Sequence, residues 1–238
     1  MGDTVTESKK YGVFYGVGVG PGDPELLTRK AERILRAADV LAAPDPGQGA
    51  SMALGIVGEL ARGKRILFCP APMTRDKSRL RAAWDEGAAL ICGELEQGRS
   101  VAFVTLGDPG IYSTCGYLLR RVRQWGFRTE IVPGVPSFCA AAAALGVSLC
   151  QGREPLTIVP ASSPALEAAL TRPGARVVMK AAARLEALQT LLERQGELDG
   201  AVLVENCGLT GERSLPLGEA DRAGYFSTVI IPKKEKNP

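Results

Sequence analysis

Short apolar runs alternate with segments of helical spacing along the first half of the chain. Residues 13–19 form an apolar run typical of a strand, and the next apolar residues recur every three or four positions, which predicts a helix over 24–38. Further strands are predicted at 40–43, 65–68, 100–106 and 128–132, and helices at 51–60, 78–97 and 112–124. This alternation is typical of a mainly parallel sheet with helices on both faces.

A proline-glycine pair at 133–134 ends this first series, and an alanine-rich helix is predicted over 136–145. A second series follows, with strands at 156–159, 176–180, 201–205 and 225–231 and helices at 164–170 and 183–194. The predicted fold class is therefore α/β, with an N-terminal domain at 11–133 and a C-terminal mixed α/β domain at 134–232. The termini, 1–10 and 233–238, are predicted to be disordered tails.

The composition is that of an ordinary soluble protein. Of the 238 residues, 45% are hydrophobic and 23% are charged. A net charge of +3 and an aromatic content of 5% argue against a nucleic-acid partner. No apolar run reaches the length of a membrane span, and the first ten residues lack the apolar segment of a signal peptide, so we expect no membrane contact and a cytoplasmic location.

Histidine is absent from the sequence, and the six cysteines form no Cys-x-x-Cys pair. Ser-His-Asp and Cys-His catalysis are therefore excluded for this chain, and no metal site is expected. The cysteines are expected to be isolated, reduced thiols of a cytosolic protein.

The most informative segment is the glycine-rich turn after the first strand. Glycines stand at positions 16, 18, 20 and 22, so a ligand can approach the backbone without meeting Cβ atoms. Asp23 and Pro24 then suit the N-cap and first positions of a helix. The spacing does not fit Gly-x-Gly-x-x-Gly, and a carboxylate at the helix start is unsuited to a pyrophosphate. The turn is thus predicted to bind a ligand without a diphosphate; the alternative is a plain turn with a good helix start.

A second glycine turn, Leu-Gly-Asp-Pro-Gly-Ile-Tyr-Ser-Thr at 106–114, follows the strand predicted at 100–106. Ligands of parallel sheets bind at the carboxyl ends of the strands, so the turns at 18–23, 107–109 and 133–134 are expected to share one rim. Asp108 is expected to accept a hydrogen bond from a ribose hydroxyl or a ligand amine. The alternative is that Asp108 caps a helix beginning near Pro109.

Three motifs in this order resemble the tetrapyrrole methyltransferase family, over nearly the whole chain. They are Gly-Val-Gly-Pro-Gly-Asp-Pro-Glu-Leu-Leu-Thr at 18–28, Gly-Asp-Pro-x-Ile-Tyr-Ser-Thr at 107–114 and Val-Pro-Gly-Val-Pro-Ser-Phe-Cys-Ala at 132–140. The resemblance implies S-adenosylmethionine as cofactor, with S-adenosylhomocysteine as its product. It also implies two α/β domains with a ligand cleft between them, and a homodimer.

The resemblance further implies which residues contact the cofactor: Pro21, Leu106, Gly107, Asp108, Ile111, Tyr112, Ser113, Pro136, Ser137, Met179 and Gly208. At position 136 the chain departs from the family branch that it resembles most, because proline replaces a threonine and removes both a hydroxyl and a backbone N–H. The turn at 205–208 has one residue more than the family's Glu-Asn-Gly loop.

Within the family, residues 137–140, 149–156 and 178–180 resemble the branch that methylates carbon 20 of precorrin-2 or of its cobalt-containing counterpart, cobalt-factor II, in cobalamin biosynthesis. One alternative is methylation at another tetrapyrrole position, on uroporphyrinogen III or a later precorrin, or of a different substrate such as diphthamide or ribosomal RNA. The others are a nicotinamide-dependent oxidoreductase and a non-catalytic tetrapyrrole binder. An electron-rich ring carbon is its own nucleophile, so alignment is expected to be the enzyme's main task, and no general base is assigned.

A reduced tetrapyrrole of this kind carries many carboxylates, so a basic binding surface is expected. The candidate substrate-binding residues are Asp23, Arg75, Lys77, Arg153, Lys180 and Arg213. Arg75 and Lys77 form a basic cluster with Arg79 and Arg81. For each basic residue the alternative is an ordinary solvated surface charge.

Overall fold

The structure, a computed structural model, describes residues 11–45, 47 and 51–233, and its contacts divide the chain between Val135 and Pro136. The sequence placed this boundary two residues earlier. The tails predicted at 1–10 and at 234–238 lie outside the described residues. Lys233, which the sequence assigned to the second tail, is described, and its Nζ lies 2.5 Å from Oε1 of Glu154.

The first unit is built on a five-stranded parallel sheet in the order β3-β2-β4-β1-β5, which confirms the predicted sheet type. Its strands are β1 (Phe14–Gly18), β2 (Val40–Pro44), β3 (Arg65–Cys69), β4 (Val101–Thr105) and β5 (Thr129–Val132). Its helices are α1 (Arg29–Ala37), α2 (Met52–Val57), α3 (Lys77–Glu96) and α4 (Cys115–Gln124).

Alternate side chains of these strands pack on opposite faces of the sheet. Phe14 and Phe103 belong to a buried cluster with α3 and α4. Ala102 and Val104 belong to a second buried cluster with α1 and α2. Because helices cover both faces, the central strands read in the sequence as continuous apolar runs.

The helix predicted from residue 24 begins later than expected. Pro24–Leu26 form a single 3₁₀ turn, in which Oδ1 of Asp23 accepts a hydrogen bond from the N–H of Glu25 at 2.8 Å. The next two residues are extended, and Oγ1 of Thr28 caps α1 by accepting from the N–H of Ala31 at 3.1 Å. Asp23 therefore caps a short 3₁₀ turn and Thr28 caps the α-helix that follows it.

Two other helix predictions are also too long. α4 begins at Cys115 and not at 112, because Tyr112 has a left-handed backbone with φ of 48°. The helix predicted at 51–60 ends at Val57 and continues as a 3₁₀ turn, Gly58–Ala61, whose first residue has φ of 52°.

The second unit contains a mixed five-stranded sheet in the order β6-β7-β10-β8-β9. Its strands are β6 (Leu156–Pro160), β7 (Ala175–Met179), β8 (Val202–Glu205), β9 (Arg213–Pro216) and β10 (Ser227–Ile231). Its helices are α5 (Ser137–Ala144), α6 (Leu166–Leu170) and α7 (Leu185–Arg194). β6 and β7 are parallel, whereas β10 is antiparallel to both β7 and β8. The mixed α/β domain is confirmed, but the sequence missed β9, a four-residue edge strand without an apolar run.

Each face of the second sheet is also covered. On one face Ala141 and Ala142 of α5 pack against Val204 and Ile230. On the other face α6 and α7 bury their leucines against β6, β7, β8 and β10.

Candidate functional site

Three turns of the first unit converge at the carboxyl edge of its sheet. The turns follow β1, β4 and β5, and these strands are neighbours in the order β4-β1-β5. Gly20 and Gly107 exchange two backbone hydrogen bonds, with N···O distances of 3.3 and 2.8 Å. The rim predicted from the sequence is therefore present.

The turns approach each other so closely that only glycine fits at two positions. A Cβ atom added to Gly134 would lie 2.2 Å from the carbonyl oxygen of Gly107, and one added to Gly18 would lie 2.6 Å from the same oxygen. Gly107 itself has φ of 67°, a conformation that side-chain-bearing residues rarely adopt. Glycine is thus required at positions 18 and 134 by backbone packing between the turns.

Asp108 joins the second and third turns through its carboxylate. Its Oδ1 accepts from the N–H of Gly110 at 2.7 Å, and its Oδ2 accepts from the N–H of Gly134 at 3.0 Å. The alternative role as a helix cap is wrong, because α4 begins seven residues later, at Cys115. Each carboxylate oxygen has a second lone pair, so these bonds leave acceptor capacity at the rim.

The polar residues after Asp108 hold an unusual backbone in place. Tyr112 is left-handed and half exposed. The hydroxyl of Ser113 accepts from the N–H of Cys115 at 3.1 Å and shares a hydrogen bond of 2.9 Å with Oγ1 of Thr105. Thr105 is buried, and the sequence reading did not select it as a site residue.

The three turns carry carboxylates but no cations. Residues 16–23, 106–113 and 133–135 contain Asp23 and Asp108 and neither lysine nor arginine. Pro21 is buried, and Leu106 and Ile111 are partly buried beside Asp108 in the chain. This mixture of apolar surface, carboxylate and open backbone suits a cationic or neutral ligand better than a phosphate.

A link from α1 to the third turn was also missed. Oγ1 of Thr28 lies 3.4 Å from the carbonyl oxygen of Pro133, besides capping α1. Thr28, three residues before Ala31, is a recognisable cap signal, but the prediction relied on the Asp23–Pro24 pair instead.

In the second unit, Met179 and Lys180 lie where β7 ends. Lys180 is left-handed, with φ of 57°, and its N–H donates to the carbonyl oxygen of Ser227 at 2.8 Å. The hydroxyl of Ser227 accepts from the N–H of Ala182 at 3.1 Å. β8 ends at the same sheet edge, since β7 and β8 are both antiparallel to β10. Met179 and the turn containing Gly208 are therefore at one edge.

The turn after β8 is closed by its own hydrogen bonds. Asn206 is left-handed with φ of 50°, and Gly208, with φ of 75°, donates its N–H to Oε2 of Glu212 at 2.6 Å. Arg213 lies at the start of β9, and its Nε is 2.5 Å from Oε2 of the buried Glu205. Arg213 thus has a buried partner within the fold, which makes it a less available carboxylate receptor than the sequence predicted.

The third turn leads into α5, where Pro136 is the N-cap residue and Ser137 the first helical residue. Both are partly buried.

The remaining basic candidates are exposed. Arg75 and Lys77 flank Asp76, which caps α3 and accepts hydrogen bonds from Ser78 that lower the pKa of the Asp76 carboxyl. Arg153 and Lys180 are exposed as well.

The buried cysteines are unreactive thiols. Burial raises the pKa of Cys69 to about 12 and that of Cys115 to about 12, so both stay protonated at neutral pH. Across residues 11–45, 47 and 51–233, no group of three or more histidine, cysteine, aspartate or glutamate side chains is arranged to hold a metal ion. In that same part of the chain, no helix is long and apolar enough to cross a membrane.

The parallel sheet with its glycine rim, followed by a mixed sheet, defines a two-unit α/β protein whose candidate ligand site is the carboxyl edge of the first sheet. The chain belongs to the family of tetrapyrrole (corrin/porphyrin) methylases, whose family model matches residues 13–221.

Relatives match this chain over nearly its full length. It is 37% identical to a cobalt-precorrin-2 C(20)-methyltransferase of Salmonella typhimurium, over 94% of this chain and 97% of that protein. It is 32% identical to a precorrin-2 C(20)-methyltransferase of Sinorhizobium sp, over 95% of this chain and 98% of that protein.

Solved structures share the fold. A cobalt precorrin-4 methyltransferase superposes with a TM-score of 0.76 at 20% identity, covering 92% of this chain and 94% of that one. A uroporphyrin-III C-methyltransferase of Thermus thermophilus, complexed with S-adenosylhomocysteine, superposes with a TM-score of 0.71 at 23% identity, covering 93% of this chain and 92% of that one.

Proposed function

We propose that this protein transfers a methyl group from S-adenosylmethionine to carbon 20 of precorrin-2 or of its cobalt-containing counterpart, in cobalamin biosynthesis. The observation that carries this function is the similarity, over more than nine tenths of the chain, to two proteins named as C(20)-methyltransferases. This similarity supports a C-methyltransferase and favours carbon 20 over other ring positions.

The residues of the rim fit S-adenosylmethionine. The cofactor presents a sulfonium cation, an ammonium group, a carboxylate and ribose hydroxyls, and its net positive charge suits a rim that holds carboxylates and no lysine or arginine. We propose that Pro21, Leu106, Gly107, Asp108, Ile111, Tyr112 and Ser113 contact it from the first unit. From the second unit we propose Pro136, Ser137, Met179 and Gly208, on the strength of their positions in the family motifs.

The bound cofactor supplies an electrophilic methyl group, which an electron-rich carbon accepts directly. The chain's own task is then to bind both partners, hold them in line and exclude water. The hydrogen bonds of the Asp108 carboxylate and the close packing of the glycines hold the turns of the rim together. Such orientation can contribute about 7–11 kcal/mol to lowering a barrier.

The basic side chains are proposed to receive the substrate's carboxylates. Arg75, Lys77, Arg153 and Lys180 are exposed and carry the positive charge that this substrate needs. Arg213 is a weaker candidate, because one edge of its guanidinium pairs with Glu205. Asp23 is a weaker candidate for substrate binding, because its carboxylate caps the 3₁₀ turn at Pro24–Leu26.

We also propose a cytoplasmic homodimer, on the strength of the family resemblance. Light scattering of the purified protein tests this: a mass of twice 25.1 kDa is expected, and a mass of 25.1 kDa at micromolar concentration would contradict the dimer.

The function is tested by incubating the protein with S-adenosylmethionine and either metal-free precorrin-2 or its cobalt complex. A mass gain of one methyl is expected, with the new carbon located at position 20 by NMR. A methyl group at another ring position would show that the protein has the specificity of a different member of the family. Tight tetrapyrrole binding without any mass gain would show a non-catalytic binder. Calorimetry with S-adenosylhomocysteine and with NAD separates the cofactor classes, and binding of NAD alone would overturn the proposal.

A further inference from the structure

Thr105 connects two of the three turns at the rim. Its carbonyl oxygen accepts a hydrogen bond from the N–H of Val19 at 3.0 Å, which ties β4 to the turn after β1. Its hydroxyl shares the bond of 2.9 Å with the hydroxyl of Ser113, at the far end of the turn after β4. Thr105 is 8% exposed, so little water competes for this second bond.

The Thr105–Ser113 bond closes the segment that contains the strained Tyr112. Before Tyr112, the N–H of Ile111 donates to the carbonyl oxygen of Asp108 at 3.2 Å. After it, Ser113 is held by Thr105 and by the N–H of Cys115. A bulky residue with φ of 48° persists only where its surroundings fix it from both sides, and Ser113 supplies the second of these anchors.

We propose that Thr105 is a positioning residue for cofactor binding: through Ser113, its hydroxyl holds Tyr112 in the left-handed conformation and so fixes the turn at 106–112. Thr105 itself does not need to touch the cofactor. This inference rests on the proposed function, because it assigns a task only if that turn holds S-adenosylmethionine.

The test compares Thr105→Val, which keeps the shape and removes the hydroxyl, with Thr105→Ser, which keeps the hydroxyl. Calorimetry with S-adenosylhomocysteine is expected to show affinity about five- to tenfold weaker for Thr105→Val, the effect of losing one ordinary hydrogen bond, and within about twofold of the parent for Thr105→Ser. In steady-state assays the valine variant is expected to raise KM for S-adenosylmethionine more than it lowers kcat.

Thr129→Val is the matched control. Thr129 begins β5, at the opposite edge of the same sheet, and its hydroxyl accepts from Arg123. This variant also loses a strand hydroxyl and its hydrogen bond, and its affinity for S-adenosylhomocysteine is expected to stay unchanged. Ser113→Ala completes a double-mutant cycle: added to Thr105→Val, it is expected to weaken binding less than it does alone.

Two outcomes would overturn the inference. One is parental affinity in Thr105→Val, even if its melting temperature falls, since Thr105 would then only stabilise the fold. The other is additive effects of Thr105→Val and Ser113→Ala. If Thr105→Val does not fold, Thr105→Ala and Thr105→Ser decide the matter: Thr105→Ala must weaken binding about as much as expected for the valine variant, and Thr105→Ser must not. Failure of the parent protein to bind S-adenosylhomocysteine would instead overturn the proposed function.

Discussion

Different neighbouring atoms leave no room for a Cβ atom at individual glycines of the first unit. At the rim, a Cβ on Gly134 or Gly18 would meet backbone atoms of another turn, which have no freedom to move aside. Inside the sheet, a Cβ on Gly16 would lie 2.5 Å from Sγ of Cys115, a side chain of α4. The first kind of glycine is expected to matter for ligand binding, and the second for the packing of the helix on the sheet.

Gly134→Ala is expected to weaken the binding of S-adenosylhomocysteine about tenfold or more, because the new Cβ pushes the third turn away from Gly107 and misplaces the rim. Isothermal calorimetry measures the affinity. Gly116→Ala is the control: a Cβ there meets nothing within 4 Å, so neither the stability nor the affinity is expected to fall. Equal affinities for Gly134→Ala and the parent would contradict the rim assignment.

Gly16→Ala is expected to lower the free energy of unfolding by about 1–3 kcal/mol, the usual range for an overpacked core. Removing the obstructing sulfur with Cys115→Ala should restore part of that loss, so the double variant is expected to be more stable than the sum of the single effects predicts. Urea unfolding of the four proteins measures this coupling. Strict additivity would show that the sulfur is not the obstacle.

At the scale of whole elements, polar side chains fix where strands and helices begin. Asp39 precedes β2 and Ser100 precedes β4, and both the N–H and the hydroxyl of Ser100 donate to Oδ2 of Asp39, at 2.7 and 2.8 Å. These bonds hold the amino ends of two neighbouring strands together. They also lower the pKa of the Asp39 carboxyl, the backbone bond being the largest cause.

This lowered pKa predicts a defined pH dependence. The folded state favours the ionised Asp39, so its contribution to stability is complete above the ordinary aspartate pKa of about 4 and is lost as pH falls through the lowered value. Asp39→Asn is therefore expected to be less stable than the parent at pH 7, and the difference should shrink as the pH drops below about 4. Chemical unfolding across this range measures it. A difference that stays constant with pH would show that the charge of Asp39 contributes nothing.

Periodicity was enough to predict the strands of the first sheet, the helices between them and the shared rim. The buried strands of a parallel sheet are continuous apolar runs, and their order in the chain places the turns at one edge. Periodicity did not predict where two helices begin: Thr28 caps α1 later than the apolar pattern suggests, and the left-handed backbone of Tyr112 precedes the late start of α4. Periodicity did not predict β9 either, because an edge strand needs no apolar run. It also did not predict the hydrogen bond between Thr105 and Ser113, because a contact between residues eight positions apart has no periodic signal.

At the scale of the whole molecule, the net charge of +3 conceals an uneven distribution. The three turns of the rim carry two aspartates and no cation, whereas exposed basic residues stand at the start of α3 and along α1. A cationic cofactor and a polyanionic substrate need opposite surroundings, and we expect this distribution to supply both. The exposed cations should therefore influence the substrate and leave the cofactor unaffected.

The double variant Arg75→Gln, Lys77→Gln tests that separation. Both residues follow β3 in the chain and flank Asp76, the N-cap of α3, and both are exposed. If they attract the carboxylates of the tetrapyrrole, kcat/KM for that substrate is expected to fall about three- to tenfold and to depend less on salt, because screening removes the same attraction. Affinity for S-adenosylhomocysteine should not change. The control, Arg62→Gln with Arg120→Gln, removes two exposed charges elsewhere on the first unit and should leave kcat/KM unaltered. An equal fall of kcat/KM in the two double variants would mean that only the net charge matters. An unchanged kcat/KM in Arg75→Gln, Lys77→Gln would show that these two residues are ordinary surface charges.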